Sequence, residues 1–83
     1  MISEESKATA EKARNIYESK LRQQLEREYP NRYVCIEPLS GNYFIGVTFD
    51  EAVNAAIDAF PDRLTHTLRI GHSAALHLGV LVQ

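Results

Sequence analysis

His66, His72, His77, Cys35 and a few acidic pairs are the residues of this chain whose types could support chemistry. A neutral imidazole is the commonest metal ligand among side chains and can serve as base or proton shuttle. The three histidines follow one another at steps of six and five residues, with no cysteine pair to complete a standard zinc pattern. If residues 66–70 and 74–78 pair as a hairpin, His66 and His77 approach each other and His72 sits in the turn. That is the best metal arrangement the spacing allows. The competing expectation is that His66 and His77 are strand residues on a sheet face or rim.

Cys35 could act as a nucleophile beside a histidine. It lies between Val34 and Ile36 in a β-rich run, where cysteine normally packs as a small apolar residue. Reactive thiols favour helix N-termini or cationic surroundings. Of the pairs Asp50-Glu51 and Asp58…Asp62, the first belongs to the start of a short helix, Asp58 lies on its polar face and Asp62 follows its end. These observations predict no catalytic residue, no metal and no cofactor, and point to a non-enzymatic role.

The elements that hold these residues are legible. Residues 3–28 predict one long helix. Ser3 caps it, Glu4 and Glu5 favour the positive end of its dipole, and no Gly or Pro interrupts it. Ala10, Ala13, Tyr17, Leu21 and Leu25 recur at three- and four-residue steps and form a single apolar stripe. Pro30 stops the helix. Tyr33 to Glu37 and Tyr43 to Val47 read as two strands joined by a turn around Gly41-Asn42. Tyr33 and Tyr43 lie on opposite strands and are candidates for a cross-strand pair. Thr48-Phe49-Asp50-Glu51 is a capping box. It opens a second helix that runs to about Phe60, with Ala52, Val53, Ala56, Ile57 and Phe60 as its buried face. Residues 65–70 alternate as a third strand with His66, Leu68 and Ile70 on one side. Residues 74–78 are a candidate fourth.

The order is α-β-β-α-β-β. It predicts one α+β domain over residues 1–83, with a long helix at 3–28 and a ββαβ(β) unit at 32–78. An antiparallel sheet with both helices on one face is the simplest assembly. A helix of about 39 Å exceeds strands of about 13–20 Å. Its stripe is therefore expected to overhang the sheet and to meet another chain. The expected contact residues are Ala10, Ala13, Tyr17, Leu21 and Leu25, with Tyr33 and Tyr43 on the sheet.

Composition narrows the partners. The 83 residues carry a net charge of −2, which gives no electrostatic reason to bind nucleic acid or an anionic membrane. The basic residues of the first helix alternate with acidic ones, as on a solvated face. A single cysteine excludes an intrachain disulfide. A polar, acidic start and the lack of a long apolar run predict a cytoplasmic protein without a membrane span. A chain this small buries a modest share of its surface, so a homo-oligomer, such as a dimer, is the expected source of further burial.

Two resemblances bear on function. Gly46-Val47-Thr48-Phe49-Asp50-Glu51-Ala52 after a hairpin resembles the G-x-T-x-x-E-A segment of HicB-type antitoxins, although the D-L-P-G-C stretch of that family is missing. Residues 29–78 look similar to a family of short uncharacterised bacterial ββαβ proteins, common in cyanobacteria. The resemblance rests on Tyr33-Val34-Cys35-Ile36-Glu37-Pro38, Ser40-Gly41-Asn42-Tyr43-Phe44-Ile45-Gly46, Phe60-Pro61-Asp62 and Leu68-Arg69-Ile70-Gly71-His72. The resemblance implies a gene neighbourhood with small retroviral-type aspartic proteases, and with it a partner encoded nearby. The resulting expectation is an interaction module that self-associates or holds a protein partner. The alternatives are an antitoxin-like regulator of a neighbouring gene product and a small metal- or thiol-dependent enzyme.

Overall fold

The computed structural model describes residues 4–71, with side chains from residue 7 onward. The expected fourth strand at 74–78, His72 and His77 lie outside the described residues. An unbroken helical rod comes first: α1 (Glu4–Ile16), a π-helical turn (Tyr17–Leu21) and α2 (Arg22–Glu28). The strands are β1 (Tyr33–Glu37), β2 (Asn42–Gly46) and β3 (His66–Arg69), with α3 (Phe49–Ala59) between β2 and β3. The α+β class and the order of elements through β3 agree with the sequence reading.

The π-turn is where the rod departs from the single regular helix that its sequence predicts. In an α-helix each four-residue step drifts about 40° around the axis. Ala13, Tyr17, Leu21 and Leu25 are separated by three such steps, so a regular helix would swing Leu25 off the face that carries Ala13. The Arg22 amide instead donates to the Tyr17 carbonyl, five residues back. This wider turn cancels part of the drift, and all four side chains come to lie in one buried row. Glu18 and Glu26 bracket Arg22 on the solvated side at 2.9 and 3.0 Å, and surface pairs of this kind add little stability.

The sheet is antiparallel in the order β2-β1-β3. Gly41, at φ +81°, makes the hairpin turn with its amide on the Glu37 carbonyl at 2.9 Å. The capping box forms as its sequence predicts. The Glu51 amide donates to Thr48 Oγ1 at 3.1 Å, and the Glu51 carboxylate accepts from the Val47 amide at 2.8 Å.

Both faces of the sheet are covered, which corrects the expectation of both helices on one face. The rod packs Ala13, Tyr17, Leu21 and Leu25 against Val34, Ile36, Leu68 and Ile70, with Tyr43 and Ile45 at the margin. Cys35 packs with Ala52 and Ala56 of α3, beside Tyr33 and Phe44. Alternate residues of a strand point to opposite faces, so rod and α3 sandwich the sheet. The sequence carries this signal in Val34-Cys35-Ile36, three consecutive buried residues. An apolar run without alternation marks a strand buried on both sides.

Gly46 sets how closely α3 can approach. A Cβ at that position would lie 2.5 Å from the Ala52 nitrogen and 2.9 Å from the Thr48 oxygen. With two alanines at the contact, α3 sits low on the sheet. Its larger side chains are carried to the flanks: Val53 and Phe60 are half-buried and Ile57 is 49% exposed. The expectation that Val53, Ile57 and Phe60 share the buried face with Ala52 and Ala56 is corrected accordingly.

Candidate functional site

The stripe expected to meet another chain is in the chain's own core. Ala13, Tyr17 and Leu25 are fully buried and Leu21 nearly so, which leaves these four no surface to offer. Ala10 is half-buried at the near end of the rod. Nearer the start of the rod, Ala8, Thr9 and Lys12 line an open cleft with Pro38, Leu39, Arg63 and Leu64. Tyr33 and Tyr43 do not pair. Tyr33 is opposite Gly46, and Tyr43 is opposite Ile36. Their side chains lie on different faces, Tyr43 toward the rod and Tyr33 toward α3.

Tyr17 ties the rod to the end of β3. Its hydroxyl accepts from the Gly71 amide at 3.2 Å and donates to Glu26 Oε2 at 3.5 Å. Burial pushes the phenol up from its ordinary value, partly offset by the Gly71 hydrogen bond.

Cys35 is fully buried beneath α3, which suits a packing role and gives a substrate no access. Among the described residues no group of three His, Cys, Asp or Glu could hold a metal ion.

Glu37, unremarked in the sequence, is the one fully buried acidic side chain among the described residues. Its carboxylate accepts from the Leu39 and Ser40 amides at 3.0 and 2.8 Å and from Arg63 Nη1 at 3.3 Å. Burial pushes its pKa up, but the hydrogen bonds from Ser40 and Leu39, with Arg63 beside them, outweigh this and leave it below the ordinary 4.5. A carboxylate so engaged shapes a turn and is not free to act as a base. Its contribution to stability is fully present above the ordinary glutamate range and is lost as pH falls through the lowered native value. Glu37→Gln should cost roughly 1–2 kcal/mol at neutral pH and flatten the decline in denaturation midpoint below about pH 4.5. Parallel pH profiles for the two proteins would contradict this role.

Two of the solvent-open features among the described residues bear on function. The first is apolar and lies on the flank of α3. Phe49, Val53 and Ile57 recur every four residues along one side of the helix, beside Asp50 and Asn54. Phe49 is 52% exposed, and Val47, just before the cap, is 58% exposed. Tyr33 meets the edge of Phe49 with ring centroids 6.0 Å apart, and Arg69 lies over Tyr33. The second is a groove of 440 Å³ between α1 and the start of β3, lined by Lys7, Ala10, Glu11, Arg14, Leu64 and His66 among others. Burial, and then the nearby Arg14 charge, hold the His66 ring below its ordinary pKa, so it is neutral near pH 7.

Searches against protein-family models, curated proteins and solved structures return no match. No helix among the described residues is long and apolar enough to cross a membrane.

Proposed function

We propose that this chain is a non-catalytic contact module, and that the flank of α3 holds a partner segment with apolar anchors and basic flanks. The observation that carries this reading is the row Phe49, Val53, Ile57, continued by Val47, in which Val47, Phe49 and Ile57 are about half or more exposed. Contiguous exposed apolar surface of this kind marks interaction sites. Charge narrows the partner: along α3 the patch is bordered by Asp50 and Asp58 with no Lys or Arg in the helix, and the cation beside it, Arg69, is stacked over Tyr33. A second copy of this chain would set acid against acid across an α3–α3 contact, whereas a basic amphipathic segment complements the surface.

Selection of peptides from a random library on the immobilised protein tests this. Enriched sequences should pair apolar residues at helical spacing with Lys or Arg, and Ile57→Asp should cut their affinity at least about tenfold through loss of the apolar anchor. Absence of enrichment, acidic consensus sequences, or binding indifferent to Ile57→Asp would overturn the proposal. A dimer in solution that Ile57→Asp dissociates would replace the partner with a second copy.

A further inference from the structure

We propose that the groove between α1 and the start of β3 binds a small organic carboxylate, with its oxygens on Arg14 and His66 and its carbon chain over Ala10 and Leu64. The groove is in the size range of ligand sites, which are mostly apolar with a few convergent polar groups. Arg14 is half-buried and, among the described residues, its guanidinium has no hydrogen bond or ion pair. A guanidinium held in partial burial without an acceptor offers a two-pronged fit to a carboxylate. The His66 ring, half-buried on the opposite wall, likewise has no hydrogen-bond partner among the described residues.

The charges around the groove select the class of anion. Lys7, Glu11 and Arg14 face it from α1 and His66 faces it from β3. Arg63 is engaged with Glu37 on the other side of Leu64. With His66 neutral, two cations and Glu11 leave one net positive charge. That balance matches a monoanion, and the Glu11 carboxylate disfavours a phosphate dianion. Ala10 and Leu64 supply apolar wall for a short alkyl or aryl group.

A bound carboxylate also reverses the electrostatics at His66. An anion beside the ring favours its protonated form, so binding takes up a proton and tightens as pH falls toward the ordinary imidazole range.

Titration of the full chain with sodium hexanoate, followed by NMR, tests the site. Saturable shifts are expected at Arg14 and His66, with a rise in the His66 pKa on binding. Arg14→Gln, which keeps good helix propensity, should weaken binding at least about tenfold while the rest of the spectrum is preserved. Hexanol should bind far more weakly than hexanoate. The proposal fails if hexanol binds equally well, if inorganic phosphate displaces hexanoate at lower concentration, if Arg14→Gln leaves affinity unchanged, or if no saturation is reached within the solubility of the ligand.

Discussion

Tyr17→Ala is expected to lower unfolding free energy by about 3–5 kcal/mol, the range for truncating a large buried aromatic. For a chain of this length that is much of a total of about 4–12 kcal/mol. Tyr17 is fully buried in the centre of the rod–sheet core, and it opens the π-turn that keeps Leu21 and Leu25 on the same face. Its hydroxyl receives the Gly71 amide. Tyr17→Phe separates the two contributions, since it keeps the ring and leaves that amide without its acceptor. It should cost about 1–2 kcal/mol. Urea denaturation of the three proteins provides the comparison. If Tyr17→Phe were as damaging as Tyr17→Ala, the hydroxyl latch and not the buried ring would dominate. If Tyr17→Ala were mild, the rod would not be seated on the sheet as described.

Gly46→Ala is expected to cost about 3 kcal/mol, at the upper end for overpacked sites. The added methyl would meet the backbone of Ala52 and Thr48 and the Cβ of Glu51 at 2.5–2.9 Å, and none of those atoms can rotate away. Relief requires α3 to lift from the sheet, which also pulls at the capping box. Gly41→Ala is the informative control. A Cβ there meets nothing within 4 Å, but φ is +81°. Its cost should be about 1–2 kcal/mol, from backbone conformation alone. Equal midpoints for the two variants would mean that α3 is not held close to β2.

Much of this fold is legible in the order of residues. The helical rod, the hairpin about Gly41, the Thr48 cap and the third strand follow from local rules of capping, turns and periodicity, because each is decided within a few residues. The layering is less legible, since it depends on which element covers which face. Val34-Cys35-Ile36 announces a strand with two covered sides, yet the sequence does not say that two alanines let α3 be the second cover. The four-residue steps from Ala13 to Leu25 carry the signal for a widened turn. Read as an ordinary amphipathic stripe, they suggest a surface for another chain, when the rod bends its own geometry to bury them in cis. The groove was least accessible to sequence reasoning. From sequence, His66 reads as a metal ligand without companions, whereas its neighbour across the groove is Arg14, brought there by packing between distant segments.

With the rod stripe buried, the contact face we propose is the flank of α3. Hydroxyl-radical footprinting of the protein, alone and with a library-selected basic peptide, tests this most directly. Protection is expected at Val47, Phe49, Val53 and Ile57, with the oxidation of Tyr17, Leu21 and Leu25 low and unchanged in both samples. Strong oxidation of those rod residues in the free protein, lost on adding peptide, would contradict the account.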